Sequence, residues 1–322
     1  MARVLILGGT AWLGREIARE WVARGAEVVC LARGRSGDIP DGARLVTADR
    51  TTPEAFDELD GTWDEVVELA YEPDVVAPAL DALADRAAHW TLVSSISVYA
   101  DFTIRDEAAP VVEPSDLTQY PDAKVAAERA TAAALGGRLL IARPGLIAGP
   151  GDPSDRFGYW PARLARGGTV LRPRGEGRFV QVIDVADLAA WIAHAGSTGV
   201  TGVVDAVGKV NRFDDVLALA ADVTGFAGSW RVAGDGELAA GGIGHWAGPA
   251  SLPLWLPEDA APMAQRDNAR FRAAGGSLRP LRETMVRTLE DEVGRGLDRE
   301  RRSGLSLAEE AAALERLRRD AG

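Results

Sequence analysis

Through the first 144 residues, short β-branched runs alternate with longer stretches in which apolar side chains recur every three or four positions. The runs at 3–7, 27–31, 44–47, 65–69, 90–94 and 138–142 are largely apolar, the pattern of strands buried on both faces. Between them, 13–24 and 75–87 carry apolar residues at helical spacing and 119–135 is rich in Ala, so each predicts a helix lying on a sheet. Regular alternation of strand and helix predicts an α/β fold built on a doubly wound parallel sheet.

After Pro144 this rhythm breaks into Gly- and Pro-rich loops, with helical patterns at 185–194 and 214–223. The stretch 225–262 is rich in Gly, Trp and Pro without a clean period, so its structure stays open. The tail at 306–320 has acidic residues early and arginines late, the charge order that favours a helix. The expected division is a core at 1–144 and a smaller C-terminal substrate-binding region at 145–322, with segments around 180–206 returning to the core.

Composition narrows the function classes. Among 322 residues, 36 Lys and Arg face 48 Asp and Glu, a net charge of −12, which opposes a general role on nucleic acid or an anionic membrane. No apolar stretch approaches the ~20 residues of a membrane span, and the first residues turn polar too early for a signal peptide. Cys30 is the single cysteine, so no internal disulfide or thiolate metal cluster can form; a cytoplasmic, reducing setting is expected. The three histidines show no metal-ligand spacing, and no metal is expected.

The segment RVLILGGTAWLGREIA joins a buried-type strand to a Gly-rich turn and an amphipathic helix. That context suits a dinucleotide pyrophosphate: the turn is tight, the backbone approaches closely, and the helix N-terminus supplies N–H groups and a positive dipole. The expected contacts are Gly8, Thr10, Ala11, Trp12, Leu13 and Gly14, in a Rossmann-type core. At the end of the second strand the position of the NAD-type acid is Ala32, followed by Arg33 and Arg35, so NADP(H) is expected over NAD(H).

Further on, LVSSISVY brings Ser95 to the C-terminal edge of a strand, and YPDAK puts Tyr120 and Lys124 one helical turn apart. With the Gly8 loop, RPGLIAGPG and GRFVQVIDVADLA, these motifs make the chain resemble an extended short-chain dehydrogenase/reductase of the NAD-dependent epimerase/dehydratase superfamily. The separation of 25 positions from Ser95 to Tyr120 is typical of extended members. The resemblance implies that Ser95 bonds the substrate oxygen and Tyr120 carries the proton, while Lys124 holds the nicotinamide ribose and lowers the phenol pKa. It also implies Asp49 near the adenine, Leu69 and Ala70 along the cofactor channel, Pro144 at the cofactor, and a homodimer through the helices at 75–87 and 119–135. Ala11 stands where the family has its middle glycine, which puts tight retention of the dinucleotide in question.

Sugar dehydratases of the superfamily carry an Asp-Glu pair after the strand-end hydroxyl residue; here that pair is Ile96-Ser97. Without carboxylates at those positions, dehydration by that route is not expected. Arg156, Trp160, Arg178 and Gln181 are the expected substrate contacts, Arg178 by its match to a family anchor position. The function expected is NADP(H)-dependent reduction of a carbonyl on a small-molecule substrate. A sugar or nucleotide-sugar epimerase and a non-catalytic NADP sensor are the alternatives.

Overall fold

In chain order the secondary structure begins β1 (Arg3–Leu7), α1 (Trp12–Ala23), β2 (Glu27–Ala32), β3 (Ala43–Thr47), β4 (Trp63–Glu68), α2 (Pro73–Leu83), β5 (Ala87–Val93), α3 (Tyr120–Leu135) and β6 (Leu139–Pro144). It continues β7 (Leu146–Ala148), α4 (Tyr159–Ala165), β8 (Thr169–Pro173), β9 (Phe179–Asp184), α5 (Val185–Thr198), β10 (Gly202–Ala206), β11 (Val210–Arg212) and α6 (Phe213–Thr224). Last come β12 (Ser229–Ala233), α7 (Asp235–Ala240), β13 (Gly244–Trp246), β14 (Ser251–Pro253), α8 (Ala269–Ala273), α9 (Leu281–Arg295) and α10 (Leu307–Arg319). This is a computed structural model, and it describes residues 1–319; the final residue of the expected tail helix, Asp320, lies outside them.

Two compact units result, the first made of Met1–Leu146, Val185–Gly208 and Arg266–Leu278. Its seven strands run in the order β10-β6-β5-β4-β1-β2-β3 with every neighbouring pair parallel. The chain fills one side of β1 with β2 and β3, then re-enters at β4 on the other side. The switch point of the doubly wound sheet therefore lies between β1 and β4, where such folds place ligands.

Right-handed crossovers run in opposite directions from β1 to β2 and from β4 to β5, which sets α1 and α2 on opposite faces. The helices pair accordingly, α1 with α5 and α2 with α3. Leu5, Leu7, Val29, Leu31 and Val66 from the strands meet Val76, Leu80 and Leu83 of α2 and Leu135 of α3 in one buried cluster. Each such side chain taken fully from water contributes roughly 1.5–3 kcal/mol.

The helix expected to 87 stops at Leu83: Ala84–Arg86 tightens into a 3₁₀ turn and Ala87 already belongs to β5. The return of Arg266–Leu278 to the first unit has no counterpart in the sequence pattern. Arg266 explains it, because its guanidinium donates to Asp205 Oδ2 at 2.8 Å and to the carbonyls of Ile104 and Asp106.

The second unit comprises Ile147–Asp184, Lys209–Gln265 and Arg279–Gly322. Within it β9 runs antiparallel to β11 and β8 parallel to β12. The stretch left open at 225–262 holds β12, α7, β13 and β14, and places Trp246, Ala250 and Leu254 at φ +66°, +49° and +67°. Among the described residues no helix is long and apolar enough to cross a membrane, and no group of His, Cys, Asp and Glu is arranged to hold a metal ion.

Candidate active site

The β1–α1 turn is built by its glycines. Gly8 sits at φ +102°, a conformation L side chains rarely adopt, with its N–H on Leu31 O (2.9 Å) and its own oxygen accepting the Ala11 N–H (3.0 Å). A β-carbon on Gly9 would overlap the side chain of Cys30, so the turn lies directly on β2. Ala11 precedes the first residue of α1 with its methyl exposed. Trp12 is half-buried, whereas Leu13 is buried in the helix and helps to seat it rather than facing the groove.

Beside this turn opens a cleft of about 410 Å³, whose lining includes Gly8, Thr10, Ala11, Arg33, Arg35, Asp49 and Ala70. Trp12, Leu13, Gly14, Leu69 and Pro144 are not in its lining; Leu69 instead packs its side chain against Gly8, and Pro144 is buried at the end of β6. Arg33 and Arg35 are exposed. Arg15 steadies the loop that follows them by donating to Ser36 O at 3.1 Å. The Asp49 carboxylate accepts the Thr51 N–H and hydroxyl at 3.2 and 2.9 Å; these bonds, with Arg33 and Arg35 nearby, hold its pKa below the usual carboxylate range.

Arg50 and Thr51 also line the cleft, and sequence reasoning missed both. Arg50 clamps Glu68, the last residue of β4, through two bonds of 2.6 and 3.0 Å, and Glu68 also accepts the Ala70 N–H at 2.8 Å. A carboxylate ending a buried strand at the switch point was the sequence signal for that clamp.

Tyr120 is the first residue of α3 and Lys124 lies one turn on. Lys124 is 4% exposed and donates to Val93 O at 2.8 Å, which ties the helix to the end of β5. Its ammonium lies over two phenol rings, 5.7 Å from the centroid of Tyr120 and 4.5 Å from that of Tyr71. The rings meet edge to face at 5.1 Å. Burial lowers the Lys124 pKa to about 8, against the pull of Glu68, Glu72 and Glu128.

Ser95, just past β5, caps a short 3₁₀ turn: its hydroxyl accepts the Ser97 N–H and donates to Ser97 Oγ, both at 3.1 Å. Among the described residues the buried Ser94 hydroxyl has no hydrogen-bond partner. The Tyr99 hydroxyl donates to Asp205 at 2.7 Å and the Arg266 guanidinium stacks 3.6 Å from its ring centroid.

In the second unit the expected substrate contacts separate. Trp160 is a core side chain, fully buried against Tyr159 and Phe213 with its indole N–H on Pro253 O at 2.7 Å. That correction has a plain cause, since α4 is short and sinks most of its residues into the interior. Gln181 is buried in β9, opposite Val210 of β11. Arg178 is buried and paired with Asp235, while one of its terminal nitrogens has no partner. Arg156 is part-exposed, its guanidinium 5.1 Å from the Trp246 ring. Asp184, the last residue of β9, accepts from Thr284 at 2.9 Å and from Arg287.

A model described as the NAD dependent epimerase/dehydratase family matches residues 4–208. The chain belongs to that family. A dTDP-6-deoxy-L-talose 4-dehydrogenase (NAD(P)(+)) of Kitasatospora kifunensis is 30% identical over 192 residues, a match covering 51% of this chain and 58% of that one. Among solved structures, the UDP-glucose 4-epimerase of Thermus thermophilus in complex with NAD has a TM-score of 0.67 at 19% identity, over 91% of this chain and 100% of its own. The UDP-N-acetylglucosamine 4-epimerase of Bacillus cereus also scores 0.67, at 14% identity over 92% and 100%. At those identities the likeness is one of fold.

The glycine turn and its cleft fit the family's dinucleotide. The positive-φ backbone at Gly8, the start of α1 just after it and the groove beside them are features that suit a pyrophosphate.

Proposed function

We propose that this chain is an NADP(H)-dependent oxidoreductase that interconverts a carbonyl and an alcohol on a small metabolite, with Tyr120 as the proton donor and acceptor. One observation carries the reading: the Tyr120 phenol and the Lys124 ammonium lie together at the edge of the sheet whose Gly8 turn opens a cleft bearing two arginines. Gly8, Thr10, Ala11 and Ala70 would hold the dinucleotide, with Arg33 and Arg35 available to its 2′-phosphate and Asp49 to its adenosine half. When bound, the nicotinamide supplies or accepts the hydride.

The rest is done by the chain. Tyr120 passes its phenolic proton to the oxygen of the substrate during reduction and takes it back in the reverse direction. The Lys124 ammonium favours the phenolate and so draws a pKa ordinarily near ~10 toward neutrality. Ser95 offers its hydroxyl to the same substrate oxygen. In the second unit Arg156 and Arg178 are the candidates for an anionic substrate group, Gln181 for a polar one.

The activity of the Kitasatospora relative, a dehydrogenase by name, supports net redox chemistry and makes sugar nucleotides the first substrates to try. The alternative, nucleotide-sugar epimerisation, is favoured by the name of the matched family, which includes epimerases. Purified protein supplied with NADPH and a panel of carbonyl compounds, keto sugar nucleotides included, separates the two. Net NADPH consumption is expected, and Tyr120→Phe is expected to bind NADPH as before while turnover falls by about 10²–10⁴. Full turnover in Tyr120→Phe overturns the proton assignment, and conversion of a sugar nucleotide without net NADPH consumption identifies an epimerase.

A further inference from the structure

We infer that Tyr71 is a positioning residue whose ring face keeps the Lys124 ammonium charged and whose perpendicular packing fixes the plane of Tyr120. This rests on the reading of Tyr120 and Lys124 given above, and nothing in the sequence motifs pointed to it.

Lys124 is almost wholly buried, and among the described residues it forms no ion pair. The carboxylates around it are engaged elsewhere. Glu68 on β4 is clamped by Arg50, and Glu128 on α3 by Arg143. Glu72, in the loop after β4, is exposed and accepts the Tyr71 N–H at 3.1 Å. From β5 the ammonium receives one carbonyl oxygen, that of Val93. A buried charge so placed needs further stabilisation, and the two aromatic faces supply it. Tyr71 is the nearer of them, at 4.5 Å against 5.7 Å, within the range where a cation is drawn to a ring's negative face.

The second contact gives the same ring a second effect. Tyr71 and Tyr120 meet at an interplanar angle of 83° with centroids 5.1 Å apart, the edge-to-face geometry that aromatic pairs prefer. Tyr120 is 43% exposed and begins its helix. Tyr71 forms one wall of its ring.

Lys124 and Lys209 are the only lysines in the 322-residue chain, which makes the ammonium directly observable. Protein labelled with ¹³C at lysine Cε gives two resonances, assigned by Lys209→Arg, and a pH titration of each reads its pKa without any turnover. The wild-type Lys124 resonance is expected to titrate near pH 8. Tyr71→Phe keeps the ring and leaves that value in place. Tyr71→Leu keeps apolar bulk without a π face and lowers it by about half a unit to one unit, while Tyr71→Trp, the strongest cation–π partner, raises it.

An unchanged titration in both Tyr71→Leu and Tyr71→Trp overturns the inference, as does a Phe variant that shifts as far as Leu. Either result leaves the Tyr120→Phe turnover test standing. Conversely, full turnover in Tyr120→Phe would sink the reaction assignment without touching the titration.

Discussion

Gly14 faces the Gly8 carbonyl oxygen so closely that a β-carbon on it would overlap that oxygen and stand 2.9 Å from Leu69 Cδ1. The atoms in the way belong to backbone and to a side chain pressed on the turn, so neither can yield cheaply. Gly14 is thus the residue that lets α1 approach β1, the third-glycine role in such turns. Gly14→Ala is expected to lose about 1–3 kcal/mol in urea unfolding through overpacking and to weaken NADPH binding by displacing the turn. Ala11 differs: its methyl is exposed, so Ala11→Gly is expected to leave stability nearly unchanged and tighten NADPH a few-fold. Equal effects on stability from both changes would contradict this division.

Cofactor choice is assigned to Arg33 and Arg35, and binding measured by nucleotide fluorescence tests it. An arginine on a phosphate forms charge-assisted bonds, each contributing about 1.5–3 kcal/mol, so Arg35→Ala is expected to weaken NADPH roughly tenfold or more. NADH lacks the 2′-phosphate and is expected to bind as before. Parallel losses for both nucleotides would mean that the arginines serve the loop or the pyrophosphate instead.

Lys124 carries a cost to the fold that the pH dependence of stability exposes. Its proton leaves the folded state near pH 8 but is held to about 10.5 in an unfolded chain, so between those values the unfolded state binds more protons and stability rises with pH. The gain across that window is about 3 kcal/mol. In Lys124→Met the rise disappears, and the variant is more stable relative to wild type at pH 7 than at pH 10. Denaturant midpoints at the two pH values check it; the same difference at both would show that the lysine is not a buried charge.

Much of the first unit was legible in the sequence because burial on both faces leaves a signal at every residue. All six expected strands of the first 144 residues appear, with ends shifted by up to three residues where apolar runs continue into turns. The adjacency of Tyr120 and Lys124 on α3 and the tight glycine turn were legible through residue spacing. Tyr71 and Arg50 were not: each follows the end of a strand, β4 and β3, in an irregular loop, and only the parallel run of β4, β1, β2 and β3 brings those loops to one edge. Trp160 misled because an aromatic beside arginines reads alike on a pocket wall and in a core, and only burial distinguishes the two. Arg266 shows the converse. Its pairing with Asp205 depends on β10, which lies 61 residues away in the chain.

The same sheet hides a titratable pair that no step of the proposed chemistry uses. Glu65 on β4 and His89 on β5 are register partners, their side chains hydrogen-bonded, and the other ring nitrogen of His89 meets Val200 O at 2.8 Å. Burial raises the Glu65 pKa, and although burial opposes it, the bond and charge of Glu65 raise that of His89. Both shifts mean that the folded state binds protons more tightly than the unfolded one, so this pair stabilises most at mildly acid pH. Its contribution is lost as pH climbs from the carboxylate range through the raised His89 value, at up to about 1.4 kcal/mol per pH unit per proton. His89→Gln, which retains hydrogen-bonding groups but no titration, is expected to flatten the decline in stability above about pH 6.5, where an unfolded imidazole begins to lose its proton, and to leave the pH profile of turnover in place. Thermal unfolding of both proteins across that range decides it: parallel curves would show that the pair's proton is not linked to folding, and a shifted activity profile would tie it to the site.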